Sequence, residues 1–292
     1  MFHIIKTRKI FYIISLAIII LGAGSLMTRG LNLGIDFTGG NIVELKFKNA
    51  VTIQDVRGAL SEHKLEHSQI QSGGDNTFLI RTKALSQAES EQVIQGVSEK
   101  LGGATLLRNG LVSPVIGKEL TKQAVLALAI ASVLMSLYIT WRFEFLQAIA
   151  AIGGLMHDVF IMVGMASLLQ IEIDSTFVAA VLTILGYSIN DAIVIFDRIR
   201  ENLRMNRKED LGELVNKSLW QTMARSINTV LTVVFVLLAL LFFGGNTLSN
   251  FVTLLLIGIV CGAYSSIFIS GPGWYDLRRM QKDRKRTAKA AA

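Results

Sequence analysis

The chain has 292 residues, 51% hydrophobic and 17% charged, with a formal net charge of +7. Soluble proteins average about 25% charged residues, so the composition argues against a soluble domain and for a membrane protein. The basic balance does not signal nucleic acid, because Lys and Arg flank apolar runs rather than alternating with aromatics.

A bilayer core about 30 Å thick needs roughly 20 apolar residues per helix. The first such stretch is 10–28, behind Lys6, Arg8 and Lys9. Its apolar run exceeds a usual signal-peptide core and no small-residue cleavage site follows, so it reads as an uncleaved anchor. "GIDFTGG" (34–40) comes directly after it. "NIVELKFK" (41–48) alternates and predicts a strand. "TIQDVRGALSEHK" (52–64) predicts a helix capped by Thr52. "SQIQS" (68–72) and "NTFLIRT" (76–82), separated by "GGD", predict a hairpin. "SQAESEQVIQGVSEKLGG" (86–103) reads as a helix stopped by glycines, and "ATLLRNGLV" (104–112) as a closing strand. The order βαββαβ is the split, ferredoxin-like α/β arrangement.

Five further spans are expected at 121–140, 146–169, 176–197, 222–243 and 248–270. The one cysteine, Cys261, lies in the last and excludes an intrachain disulfide. The 198–221 loop carries Arg198, Arg200, Arg204, Arg207, Lys208 and Lys217, and the tail is basic from Arg278 to Lys289. The 170–175 loop has Glu172 and Asp174 but no Lys or Arg, and 244–247 is uncharged. Positive charge stays on the cytoplasmic side, so both termini are expected there. The predicted division is 1–29 (N-terminus and first span), 30–120 (extracytoplasmic domain), 121–272 (five-helix bundle) and 273–292 (basic cytoplasmic tail).

Charged groups inside spans carry the functional signal. Asp191, in "YSINDAIVIFDRIREN" (187–202), lies seven residues before Arg198. At 1.5 Å per residue that is roughly 10 Å into the span, where a carboxylate costs about 2.5–3.5 kcal/mol. Tyr187, Asp191, Val194 and Arg198 follow helical spacing. The carboxylate either changes its proton inside the membrane or is a hydrogen-bonded packing residue. Asp197 and Arg198 read as a solvated helix end. Gln221, Arg225, Asn228 and Thr232 form a polar stripe on the fifth span that must face protein or water. Arg225 lies on the same side of the membrane as Asp191, so a pair, direct or through water, is expected. "GGLMHDVF" (153–160) puts Gly153 and Gly154 at a close helix contact and adds His157 and Asp158, as a relay or as packing groups. Gly258 and Gly262 read as a packing motif. His63, Glu66 and His67 match H-x-x-E-H, but the match is short and reads as a solvated helix end, so no metal site is expected. No phosphate-binding loop occurs, so energy is expected from an ion gradient or a partner, with no cofactor and no covalent catalysis.

"GIDFTGG", "SPVIGKEL" (113–120), "HDV" (157–159), "IEID" (171–174) and "GYSINDAIVIFDRIREN" (186–202) together make the chain resemble the SecF-like family of bacterial Sec-translocase accessory proteins. The resemblance runs from about residue 8 to 275. It implies half of a bundle of the resistance–nodulation–division (RND) superfamily: six transmembrane helices, with the α/β domain between spans one and two. It further implies a location in the bacterial cytoplasmic (inner) membrane and a complex with SecD. Contact with the SecYEG channel, unfolded preprotein and lipid is also implied, as is proton-motive force as the driver of late-stage export. Residue by residue, it assigns a proton pathway to Asp191 and Arg225, with Asn190 in the same motif and His157 and Asp158 held less firmly. Asp36, Phe37, Thr38, Gly39 and Gly40 match a motif at the start of the outer domain. Competing readings are a small-molecule or lipid exporter of the same superfamily and a structural scaffold. Protons or sodium ions remain alternatives for the coupling ion.

Overall fold

The computed structural model describes residues 2–112, 114–206 and 208–290. Ser113 and Arg207, named above, lie outside the described residues, as do the side chains of Lys285, Arg286 and Lys289. Helix α1 (Ile4–Thr28) leads through a single turn, α2 (Ile35–Thr38), into the outer domain. That domain runs β1 (Gly40–Phe47), α3 (Ile53–Ser61), β2 (Gln69–Gly74), β3 (Thr77–Thr82), α4 (Gln87–Lys100) and β4 (Ala104–Val112). The bundle continues with α5 (Pro114–Arg142), α6 (Phe145–Leu168), α7 (Ser175–Met205), α8 (Leu211–Phe243) and α9 (Asn246–Ser265). A π turn (Ser266–Ser270) joins α9 to α10 (Gly271–Ala290) without a break. Among the described residues, six helices are long and apolar enough to cross a membrane.

The outer sheet has the order β2-β3-β1-β4 with every neighbour antiparallel, the ferredoxin-like arrangement expected of βαββαβ. Alternation puts Val43, Leu45 and Phe47 of β1 inward, against Val56 and Leu60 of α3 and Val97 of α4. Both helices start in reciprocal caps, Thr52 with Asp55 and Ser86 with Glu89. The hairpin turn falls on Asp75 and Asn76, both left-handed (φ 48° and 54°), the backbone a two-residue hairpin favours. Glycines expected in the turn instead extend β2 to Gly74. Helix α3 ends at Ser61 rather than Lys64, whose φ of 58° breaks the spiral. Strand β4 is a sheet edge, with Leu106, Leu107 and Leu111 all exposed.

In the bundle, α6, α7 and α9 pack at the centre, while α5 and much of α1 and α8 present apolar side chains outward. Helices run past the predicted spans because their polar ends find partners. Ile4 N–H donates to Asn216 Oδ1 at 2.8 Å, and Arg8 pairs with Asp276 at 2.7 Å. The start of α1 is therefore fastened to α8 through its backbone and to α10 through Arg8, while the Lys6 and Lys9 side chains stay exposed. Trp274 of α10 is fully buried among the bundle side chains.

Glycine sets the closest helix approaches. A Cβ on Gly22 of α1 would lie 2.8 Å from the Gly164 Cα of α6, and Ser25 and Ser167 share a hydrogen bond of 2.9 Å one turn on. Gly258 and Gly262 of α9 meet Ile184 and Ser188 of α7, so the spacing does serve packing. Gly154 abuts Ser270, but Gly153 is exposed and touches nothing. The expected glycine pair thus acts through one member. Replacing Gly22 with leucine is expected to pry α1 from α6 at a cost of about 1–3 kcal/mol. The measurement is a melting temperature from size exclusion after heating; a variant that melts with the parent contradicts the contact.

Candidate functional site

Helix α7 carries Asp191 because the run from Phe177 to Ile199 is apolar enough to hold one polar stripe in the membrane. Asp174 caps its start, accepting from Thr176 N–H at 2.9 Å. Asp191 lines a cavity of about 30 Å³ with Tyr187, Ser188, Asn190, Arg225 and Gly262. A space of ~10–15 Å³ holds one water when polar groups line it. Ser226 Oγ of α8 donates to Asp191 Oδ1 at 2.5 Å. Asp191 Oδ2 is buried with no hydrogen-bond partner among the described residues. Arg225 faces the same cavity, and its charge acts on the carboxylate, but the two make no ion pair within 4.0 Å. The expected pairing is thus one across a water-sized space, with a serine as direct partner. Tyr187 and Val194 share this wall as their spacing predicts, whereas Arg198 turns to Glu201 at 2.9 Å. Asp197, read as a solvated end, bridges Arg142 and Arg200 at 3.3 and 3.0 Å.

The polar stripe on α8 borders the Asp191 cavity at Arg225 and is otherwise open to the surroundings. Gln221, Arg225, Asn228 and Thr232 are all exposed. At the start of the stripe, Asn202 donates to Ser218 and Gln221, both at 2.8 Å, joining α7 to α8.

His157 and Asp158 form a second, enclosed network. Asp158 is 0% exposed. It accepts from Ser188 Oγ at 2.6 Å, Ser265 Oγ at 2.8 Å and Cys261 Sγ at 3.4 Å, and lies 3.0 Å from His157 Nδ1. The His157 ring stacks on Tyr264, whose hydroxyl receives from Ser15 at 3.2 Å and donates to the Phe11 carbonyl at 2.9 Å. Ser188 belongs to both centres, as a wall of the Asp191 cavity and a donor to Asp158. Ligand atoms of His157, Asp158 and Cys261 come within 4.8 Å of one another. The Asp158 oxygens are already engaged by four neighbours, so the trio reads as a closed hydrogen-bond network rather than a metal cage. Among the described residues His63 and His67 make no such cluster: His63 packs on Gly96, and His67 lies 3.8 Å from Glu66.

The "GIDFTGG" motif is a joint. Asp36 Oδ2 accepts from Ser175 N–H at 3.0 Å, at the first turn of α7, where negative charge suits the helix dipole. Gly34 N–H donates to the Ile173 carbonyl and Ile173 N–H to that of Asn32, each at 2.8 Å. Thr38 Oγ1 returns to the Gly34 carbonyl at 3.1 Å, and Phe37 packs on the bundle core. Gly39 has φ of 77°, and a Cβ on Gly40 would collide with the Thr82 carbonyl and Ile35. Two adjacent glycines are needed here for different reasons, one for its backbone angle and one for space.

Sequence reasoning missed Ser226, Ser188, Cys261 and Ser265. One signal was present: "SIN" occurs at 188–190 beside Asp191 and again at 226–228 beside Arg225, so each charged residue has a serine neighbour turned inward.

Two family models match the chain. One, described as protein export membrane protein SecD/SecF, C-terminal, covers residues 93–280, and the other, the SecD/SecF GG motif, covers 24–51. Protein translocase subunit SecF of Sebaldella termitidis is 41% identical over 97% of this chain and 94% of that protein. The protein of that name from Acidaminococcus fermentans is 44% identical, over 96% and 99%. The crystal structure of SecDF, a translocon-associated membrane protein from Thermus thermophilus, superposes with a TM-score of 0.84 at 36% identity. That match covers 95% of this chain and 39% of the SecDF chain, so the present chain spans about two fifths of its length.

Proposed function

The chain belongs to the SecD/SecF family of protein-export membrane proteins, and from that premise we propose that it works with SecD as a proton-driven accessory to export. It is a SecF-like, multi-pass inner-membrane translocase subunit rather than an enzyme. Relatives in which one longer chain is named SecDF support association with SecD. The N- and C-termini lie in the cytoplasm and the outer domain beyond the membrane. SecYEG, unfolded preprotein and lipid are its further partners, and the ion gradient takes the place of a cofactor.

One observation carries the reading: the unpartnered Asp191 oxygen in a cavity shared with Arg225. An ionised carboxylate there wants water or the guanidinium, and a protonated one tolerates the dry interior. A proton falling through 100 mV releases about 2.3 kcal/mol, against about 2.5–3.5 kcal/mol for holding a carboxylate at the centre of a span. Ser188 extends the path to Asp158 and His157. The exposed polar stripe of α8 supports a neighbouring subunit on that face, because lipid would leave it unsatisfied.

The test is preprotein export by SecD-co-assembled vesicles under an imposed proton gradient, a sodium gradient or none. Stimulation by the proton gradient alone is expected. Equal export in all three conditions overturns the proposal, and a response to sodium alone reassigns the ion.

A further inference from the structure

Glu172 takes no part in either membrane network, yet it is 5% exposed in the connection between α6 and α7. Its carboxylate accepts from Arg81 Nη1 of β3 at 2.8 Å, with both side chains largely buried. The Gln69 carboxamide of β2 presents its nitrogen to both carboxylate oxygens, at 2.8 Å to Oε1, because the opposite orientation sets oxygen against oxygen. Two strands of the outer domain therefore grip one side chain of the bundle. Open space flanks this grip on both sides. A cleft of about 550 Å³ runs along Lys64, His67 and Lys83, and a second of about 330 Å³ along Arg57 and Gln71. The domain is not packed flat on the bundle around Glu172; it is held there by a localised contact.

The gripped connection leads straight into α7. Ser175 opens that helix, and Asp191 lies sixteen residues on, roughly 24 Å at 1.5 Å per residue. We propose that Arg81, Gln69 and Glu172 form a releasable clamp docking the outer domain onto the outer end of the Asp191 helix, and that protons outside the membrane set how often it is closed.

The direction of the proton effect follows from the surroundings of the carboxylate. Burial pushes Glu172 above the ordinary carboxylate range; Asp174 on the same connection and Asp36 on α2 push the same way, and Arg81 pulls back incompletely. Lys64, His67, Lys83 and Arg57 are the other charged or titratable groups along the two clefts. A released Glu172 would be solvated and return to an ordinary value. The docked state thus holds the proton more tightly, so acid outside favours docking. That preference is full below the solvated value and is lost as pH rises through the docked one.

The experiment is a pulsed-EPR or fluorescence distance between labels at Asp75→Cys, on the hairpin tip, and Leu169→Cys, on the bundle end. It uses the full chain co-assembled with SecD in nanodiscs; native Cys261 is buried and stays unlabelled. The docked-to-released ratio is expected to rise with falling pH, by up to about tenfold per unit for one linked proton. Glu172→Gln, permanently neutral, is expected to stay docked and flat across pH. Asp191→Asn is expected to keep the parental profile, so a failure of the gradient test leaves this result standing. A pH-independent distance in the unaltered chain overturns the clamp, as does a Glu172→Gln variant that follows the parental curve, or a profile abolished by Asp191→Asn.

Discussion

Asp191→Asn is expected to remove the proton-gradient increment of export, by tenfold or more, while leaving assembly with SecD intact. Asparagine keeps the volume and can still accept from Ser226, so the 2.5 Å contact between α7 and α8 survives in kind. What it loses is the exchangeable charge at Oδ2, the atom left open to the cavity. Arg225→Gln is expected to act in the same direction, because the cavity then offers an ionised Asp191 no cation. Ser226→Ala removes one hydrogen bond to a charged group, about 1.5–3 kcal/mol, and is expected to weaken coupling without abolishing it. The assay is export in vesicles at matched SecD content, with and without the gradient. If Asp191→Asn responds as strongly as the parent, the residue is a packing group and the motor must be sought elsewhere.

Asp158 calls for a different pair of substitutions. Asp158→Ala leaves Ser188, Ser265, Cys261 and His157 facing a void in a part of the bundle that water does not reach. Each unpaired buried group costs about 1–3 kcal/mol, although membrane bundles average nearer ~0.6 kcal/mol per hydrogen bond. Several together are large against a total stability of about 5–15 kcal/mol. The alanine variant is expected to accumulate poorly and to melt well below the parent. Asp158→Asn keeps an acceptor for two of the donors and is expected to fold. The asparagine variant then separates relay from packing: lost coupling at normal stability assigns Asp158 to the proton path. Normal coupling would confine it to structure, and an alanine variant as stable as the parent would contradict the network itself.

The six spans were legible because an apolar run of about twenty residues matches a bilayer and outlasts the usual core helix, and the outer sheet because β1 alternates so cleanly. Helix ends were not legible. Arg8 was read only as part of the basic segment ahead of the first span, because its partner Asp276 comes from the far end of the chain. The single turn α2 was hidden by the glycines around it, which signal a loop in any sequence reading. At the site, a periodicity argument sees one face of one helix. It found Arg225, whose polar stripe is conspicuous, and passed over Ser226 one position on, which is buried and touches the carboxylate. The four groups around Asp158 come from α6, α7 and α9, and nothing local in any of those segments announces the other two. The role of Glu172 was equally remote, since Arg81 is 91 residues away in the chain.

The bare edge of β4 bears on the life of the molecule before it works. A strand paired on one side only, with leucines on both faces, is a template for any extended chain. A copy whose β4 edge stays uncovered is therefore expected to be prone to self-association through that rim.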